Sequence, residues 1–349
     1  MDTPWGYPDY DTHEVLHFVD EPDHGLRAII AIHSTHLGPA AGGARFWHYE
    51  DGAQALTDAL RLSRGMSYKN AMAGLPLGGG KSVILASPDR HKSPELLAAF
   101  GRAVDRLCGR YITAEDVGMS VKDMVEVSRQ TKFVAGLPSD DDHVGGDPGP
   151  HTSLGVFLGI KAAVRRALGR DGVDGLHIAI QGAGSVATGV AMHAAAEGAK
   201  LSIADVDAAK AEKLADAAGG TVVAPEDILF LEADVVSPCA LGAILTEESI
   251  ARLRTRVVAG GANNQLATPA DGARLHERGI LYAPDYVINA GGIINVCTEY
   301  LGDGDAGLVR ERINGIPQRL EQIWAESAET GRDPAAVADA MAQRLIGRG

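Results

Sequence analysis

A chain of 349 residues exceeds what one ordinary core organises, so two domains are expected, and its formal net charge of -14 repels a phosphate backbone, which argues against a nucleic-acid partner. A hydrophobic fraction of 45% with 22% charged residues is that of a soluble globular protein, and no segment approaches the ~20 apolar residues of a membrane span. Three scattered cysteines (Cys108, Cys239, Cys297) exclude a disulfide framework, the histidines form no metal motif, and the acidic start MDTPWGYPDYDTHE lacks the apolar core of a signal peptide; a metal-free cytoplasmic protein is expected.

In chain order, His24 to Ser34 holds a β-branched apolar run after a glycine and reads as a strand. The segment LGPAAGGARFW then breaks it, and its glycines, Gly42 and Gly43 among them, predict a loop whose amides can meet a ligand; a plain turn would look the same. Ala53 to Met66 carries Leu56, Ala59, Leu60 and Ser63 at helical spacing, and Lys69 follows closely. Next, GMSYKNAMAGLPLGGGK (65–81) places Lys69 and Lys81 twelve positions apart, the second directly after three glycines. That run predicts a functional loop. A lysine at its rim can approach a ligand or, when half-buried, lose its proton and act as a base. Either lysine alone reads equally as a solvated surface charge. A phosphate-binding P-loop would need glycine at position 75, where Leu75 stands.

Ser82 to Leu85 reads as a short strand, and Ser93-Pro94-Glu95 opens a helix that Gly109 ends. Tyr111 to Ala114 reads as a buried strand finishing on Glu115-Asp116, where alternating α/β folds put their sites. Either carboxylate alone could instead cap the next helix, but Ser120 with Asp123 is the better cap and frees Asp116. Gly136 to Pro150, dense in glycine, proline and aspartate, reads as a linker and hinge.

From Leu176 onward the apolar runs 176–181, 201–205, 221–224, 234–238, 256–260 and 280–284 suit strands buried on both faces, and helical segments separate them. The arrangement is a Rossmann-type doubly wound parallel sheet. Gly182-Ala-Gly184-Ser185-Val186-Ala187 follows the first of these strands and starts a helix, as a dinucleotide fingerprint requires. Asp205 lies 21 residues after Gly184 at the end of the second strand, where a carboxylate binds the ribose hydroxyls of NAD and repels the extra phosphate of NADP. The loops Ser237 to Ala240 and Gly260 to Gln265 end strands at the same edge and should line the nicotinamide crevice. Asn289 to Val296 reads as a glycine turn into an apolar helix, either core or one wall of a substrate pocket.

Together the motifs LGPAAGG, RLSRGMSYKNAMAGLPLGGGK, YITAEDVG, GAGSVA, SPCALGAIL, GGANNQL and ILYAPDYVINAGG closely resemble the glutamate, leucine, phenylalanine and valine dehydrogenase family over nearly the whole chain. The resemblance implies reversible oxidative deamination of an L-amino acid by NAD to the 2-oxo acid, ammonia and NADH, in a homo-oligomer. Its architecture would be two α/β domains separated by a cleft: residues 1–140 for substrate and assembly, with 331–349 packing back on them, and 141–330 for NAD. Closure about the linker would expel water before hydride transfer. By the same resemblance Lys69 and the backbone of Gly42 and Gly43 hold the substrate carboxylate, Lys81 activates water, and Asp116 moves protons at the amino group. Asn264 contacts substrate with Asn263 beside it, Thr152 reaches the nicotinamide amide, and Cys239 and Ala240 flank the ring. The side-chain pocket would be Ala41, Ala114, Ile293 and Val296. Family members that use glutamate carry a lysine at the position of Ala41, so its absence argues against glutamate. Ile293 and Val296 match leucine dehydrogenases and favour branched aliphatic substrates, whereas an alanine at 41 occurs in some phenylalanine dehydrogenases. A non-catalytic NAD-binding sensor is the alternative of another class.

Overall fold

The computed structural model describes residues 3–88, 90–138, 148–302 and 305–348. The chain groups into two units, one of Met1–Gly146, Asn295–Leu308 and Ala342–Gly349, the other of Asp147–Ile294 and Val309–Met341. The core of the expected linker and the expected boundary at 140/141 lie outside the described residues, and Gly149 and Pro150 already belong to a helix.

The strands of the first unit are β1 (Val15–Glu21), β2 (Leu26–Ser34), β3 (Ala40–His48), β4 (Gly78–Ala86) and β5 (Tyr111–Ala114). They form one sheet in the order β1-β2-β4-β3-β5. β2 pairs antiparallel with β1 and β4, while β3 runs parallel to β4 and β5. Residues of β2 alternate between two cores. Ile29 and Ala31 pack with Val83 against Ala55, Leu56, Ala59 and Leu60 of α1 (Gly52–Met72). Ile30 and Ile32 pack with Ile84 and Tyr111 against Leu96, Phe100 and Val104 of α2 (Pro94–Asp105) and Met124 and Val127 of α3 (Val121–Ser128). A strand covered on both sides reads as a continuous apolar run for this reason. The helix starts follow their caps: Asp51 accepts from Gln54 N, Ser93 from Leu96 N, and Ser120 with Asp123 closes a capping box.

The glycine-rich segments depart from expectation. Gly42 and Gly43 lie within β3 and Gly78 to Gly80 within β4, so both are buried strand rather than loop. None of the five adopts a positive φ. They are glycine because nothing larger fits. A Cβ on Gly78 would sit 1.9 Å from the Ser34 carbonyl oxygen, one on Gly79 1.9 Å from the Ser67 amide, and one on Gly80 2.7 Å from the Tyr111 ring. Helix α1 also runs past Met66 to Met72, so Lys69 sits in its last turn instead of after it.

In the second unit β6 (His177–Gln181), β7 (Lys200–Ala204), β8 (Thr221–Val222), β9 (Val235–Pro238), β10 (Val257–Val258) and β11 (Leu281–Tyr282) form a wholly parallel sheet ordered β11-β10-β9-β6-β7-β8. All six expected strands are present. The order reverses between β6 and β9, the switch point where doubly wound folds bind ligands. Helix α4 (Gly149–Leu168) precedes these strands, and among and after them come α5 (Ser185–Ala196), α6 (Ala208–Ala218), α7 (Glu247–Arg252), α8 (Ala270–Glu277), α9 (Asp285–Ile288), α10 (Gly291–Tyr300), α11 (Ala306–Asn314), α12 (Ile316–Thr330) and α13 (Pro334–Leu345). Small residues set their approach: a Cβ on Gly159 of α4 would meet Ile288 Cγ1 at 2.4 Å, and one on Gly189 of α5 would meet Ser153 Oγ at 2.1 Å.

Candidate active site

In the first unit, Lys81 lies in β4 on the α1 side of the sheet, across from Ala31, and is 5% exposed. Asp116 follows β5. Its approach depends on Gly43, because a Cβ there would stand 2.5 Å from the Glu115 carbonyl oxygen and 2.8 Å from Asp116 Cβ. Gly42 is equally constrained, 1.8 Å from the Gly80 carbonyl oxygen, and its own carbonyl accepts from the Tyr111 hydroxyl at 2.6 Å. The result is a buried ion pair, Lys81 Nζ to Asp116 Oδ2 at 2.8 Å. Burial drives the Lys81 ammonium below its usual pKa, and the Asp116 carboxylate only partly offsets this. Burial also opposes ionisation of Asp116, but the neighbouring charges of Lys81 and Arg45 prevail and hold its carboxyl below the usual range. An amine that can lose its proton beside a carboxylate that keeps its charge is equipment for acid–base chemistry.

Lys69 is half-buried in the last turn of α1. That turn is fixed to β4 on both sides of it: Ser67 fills the space over Gly79, and Asn70 Nδ2 donates to the Gly78 carbonyl at 2.6 Å. Ala41 is buried in β3, and Ala114 is half-buried at the end of β5, where it neighbours Gly43 in the parallel register. Val296 lies in the part of α10 that groups with this unit.

In the second unit, the glycine loop sits at the switch point. Gly182 adopts φ 108°, open to glycine alone, and a Cβ on it would lie 3.1 Å from Ala240 Cβ and 3.2 Å from the Cys239 carbonyl carbon. The loops after β6 and β9 therefore touch through these residues. Gly184 is the N-cap of α5 but offers no side-chain hydrogen bond, and the space where its Cβ would point is clear to 4 Å. Ser185, Val186 and the buried Ala187 form the first turn, an uncapped helix N-terminus suited to a pyrophosphate. Asp205 accepts from Ala183 N at 2.7 Å and Asp207 N at 2.9 Å, which ties the end of β7 to the glycine loop. These residues fit a dinucleotide.

Around the same edge, Cys239 Sγ accepts from Gly261 N at 3.4 Å, and burial pushes its thiol up. Asn263 Oδ1 accepts from Asn289 Nδ2 at 2.8 Å, while Asn264 is exposed at φ 51°. Thr152, in the first turn of α4, donates to the Pro148 carbonyl at 2.9 Å and stands where a Cβ on Gly292 would meet its Oγ1 at 2.7 Å. Ile293 follows Gly292 in α10, half-buried.

The sequence reading missed Arg45, Asp58 and Tyr49. Arg45 Nε donates to Asp116 Oδ2 at 3.0 Å and its Nη1 to Asp58 Oδ2 at 2.9 Å, and the Tyr49 hydroxyl donates to the same Asp58 oxygen at 2.6 Å. The available signal was parity: Arg45 shares a strand face with Ala41 and Gly43, an isolated charge in an otherwise small and apolar row. It also missed Gln265, which is fully buried and donates to the carbonyls of Gly260 and Ala262. No group of three or more His, Cys, Asp or Glu side chains that could hold a metal occurs among the described residues, and none of their helices is long and apolar enough to cross a membrane.

A two-domain α/β fold with a glycine turn at a helix N-terminus on one unit and a buried Lys–Asp pair on the other suits a dehydrogenase, and the comparisons agree. Residues 13–133 match the Glu/Leu/Phe/Val dehydrogenase dimerisation domain, and residues 201–343 match the glutamate/leucine/phenylalanine/valine dehydrogenases. Leucine dehydrogenase from Bacillus subtilis is 45% identical over 339 residues, 97% of this chain and 92% of that protein. L-tryptophan dehydrogenase from Nostoc punctiforme is 47% identical over 320 residues, 91% of this chain and 89% of that protein. The crystal structure of the Nostoc punctiforme enzyme superposes with a TM-score of 0.86 at 42% identity, covering 96% of each chain. The chain belongs to the glutamate/leucine/phenylalanine/valine dehydrogenase family. It is an amino-acid dehydrogenase, an oxidoreductase of a family that uses pyridine nucleotides to deaminate amino acids oxidatively.

Proposed function

We propose that the chain oxidatively deaminates branched-chain aliphatic L-amino acids, leucine foremost, with NAD, acting in the cytoplasm as a homo-oligomer. The observation that carries the chemistry is the 2.8 Å contact of buried Lys81 with Asp116. In this reading the first unit holds the substrate. The Lys69 ammonium and the backbone at Gly42 and Gly43 bind its carboxylate. Asp116 takes a proton from the substrate ammonium, leaving a free amine. An oxidised nicotinamide bordered by Thr152, Asn263, Cys239 and Ala240 would supply the hydride acceptor for Cα, the substrate amine becoming an iminium. Lys81, as the neutral amine, takes a proton from water as that water attacks Cα. Asp116 returns its proton to nitrogen, and as the carbinolamine C–N bond breaks and ammonia leaves, the regenerated Asp116 carboxylate takes the hydroxyl proton, giving the 2-oxo acid.

The second unit holds the cofactor in this reading. Gly182, Gly184, Ser185, Val186 and Ala187 cradle the pyrophosphate, and Asp205 takes the ribose hydroxyls and selects NAD by repelling a 2′-phosphate. Thr152, Asn263, Cys239 and Ala240 border the nicotinamide, and Asn264 contacts the substrate. Ala41, Ala114, Ile293 and Val296, the residues this reading assigns to the substrate side chain, are all apolar and include no cation for a second carboxylate. The 45% identity to a leucine dehydrogenase supports the aliphatic choice. Oligomer formation is supported by the match of residues 13–133 to a dimerisation domain.

An aromatic substrate is the second reading, favoured by the small side chain of Ala41 and the 47% identity to an L-tryptophan dehydrogenase. Both are tested by initial rates of NADH or NADPH formation with L-leucine, L-valine, L-isoleucine, L-phenylalanine, L-tryptophan and L-glutamate. The proposal expects the aliphatic trio to lead, with NAD over NADP and with glutamate inert. Faster turnover of phenylalanine or tryptophan would replace it with the aromatic reading.

A further inference from the structure

Asp116 is held by two cations on one oxygen. Lys81 Nζ lies 2.8 Å from Oδ2 and Arg45 Nε donates to that same atom at 3.0 Å, so that Oδ1 has no partner among the described residues. Arg45 is itself fixed from the far side, where Asp58 accepts from its Nη1 at 2.9 Å and the Tyr49 hydroxyl anchors Asp58 at 2.6 Å. A planar guanidinium bound along two edges has little freedom to turn. The chain Tyr49–Asp58–Arg45–Asp116–Lys81 thus joins β3, α1, the end of β5 and β4.

We propose that Arg45 is a positioning residue that keeps Asp116 an anion, with Oδ1 open to the substrate nitrogen, whether or not Lys81 carries its proton. The inference rests on the roles proposed above for Lys81 and Asp116. A buried ammonium and carboxylate 2.8 Å apart titrate as a pair. When Lys81 gives up its proton to become a base, Asp116 loses its nearest counter-ion in a site of low polarity, and a carboxylate so stranded takes up a proton. Arginine does not deprotonate in proteins, so Arg45 supplies a charge that survives that step. It acts on Lys81 in the same useful direction, since a neighbouring cation favours the neutral amine. The groups facing the pair are Arg45 of β3, Asp58 of α1, Tyr49, and the buried Tyr111 of β5, whose phenol burial pushes up to about 12. Asp58 is the counterweight, because an anion beside Arg45 tempers its effect on both.

Removing Arg45 should therefore raise the pKa of both Asp116 and Lys81. In the full-length enzyme, Arg45→Gln is expected to move the ascending limb of the kcat/KM pH profile to higher pH by about one unit or more. Arg45→Lys should recover part of that shift. Asp58→Asn should move the limb the opposite way, to lower pH, and provides the test should Arg45→Gln fail to fold. A merely structural arginine would lower activity at every pH and leave the limb in place; that result, or an alkaline shift in Asp58→Asn, would overturn the proposal. Asp116→Asn, run alongside, separates the two levels: full activity there would remove the underlying reading of the site, whereas its inactivity together with an unshifted Arg45→Gln profile would remove the role of Arg45 alone.

Discussion

His33 shows how far a side chain's behaviour can depart from its residue type. It is fully buried in β2, its Nδ1 hydrogen-bonded to Ser67 Oγ at 2.8 Å and its Nε2 facing Arg348 Nη1 at 2.7 Å and Asp11 Oδ2 at 3.1 Å. Arg348 also donates through Nη2 to the carbonyls of Thr12 and His33. A guanidinium can only donate, so Nε2 accepts and the ring is neutral with its proton on Nδ1. Burial, with Arg348 and His13 adding to it, pushes the ring from 6.5 down to about 3. Between those values the unfolded chain binds more protons than the folded one, so stability is complete above pH 6.5 and falls as pH drops toward 3. Thermal melts from pH 7 to pH 4 should show a declining Tm, and His33→Gln should flatten the decline; an unchanged slope in the variant would deny His33 this part. None of this was legible in the sequence, where HGLRAIIAIHS offers His33 only as the penultimate residue of a strand. Lys81 and Asp116 were legible because each ends a recognisable local pattern. Arg45 left only a faint sign, its place on the strand face of Ala41 and Gly43, and its partner Asp116 lies 71 residues away.

At the scale of elements, patterns of burial were read well and patterns of glycine were misread. The strands β6 to β11 show as apolar runs because parallel strands are covered on both faces. In β3 and β4 the glycines looked like loop, yet their cause is contact. Gly79 yields to the Ser67 backbone and Gly78 to that of Ser34. Substituting Gly79→Ala forces a Cβ to 1.9 Å from a main-chain nitrogen, and a strand and helix must separate to admit it. We expect a loss of about 3 kcal/mol or more in denaturant unfolding. Gly65→Ala, in the exposed middle of α1 with nothing within 4 Å, should instead gain about 0.5–1 kcal/mol. Equal effects from the two would refute the close-approach explanation. Helix α1 passes Gly65 for the same reason its end was misplaced: Ser67 and Asn70 dock on β4 and outweigh the local glycine penalty of about 1 kcal/mol. The edge strand β1 escaped notice because only Val19 of its seven residues is buried, so its apolar alternation is weak.

For the whole molecule, the sequence carried the family, and it put the glycine fingerprint and the lysine motif in different halves. The family resemblance led to the expectation that 331–349 packs back on the first domain, but no local pattern showed the contacts themselves, as when Gln343 donates to the Tyr68 hydroxyl at 3.0 Å and Arg348 reaches β2 within the first unit. Such contacts join residues by folding alone and leave no local period to read. The division of labour proposed for the two units makes a separable demand. The chemistry is proposed for Lys81 and Asp116, and the dinucleotide for the loop at Gly182–Ala187 with Asp205. The most direct test pairs two readings on each of Lys81→Ala and Asp116→Asn: NADH affinity by fluorescence titration, and the rate of NADH formation from the best amino acid. We expect turnover to fall by about 10²–10⁴-fold with NADH affinity unchanged. Turnover within a few-fold of the parent in both variants would contradict the account of the site, whatever the fold.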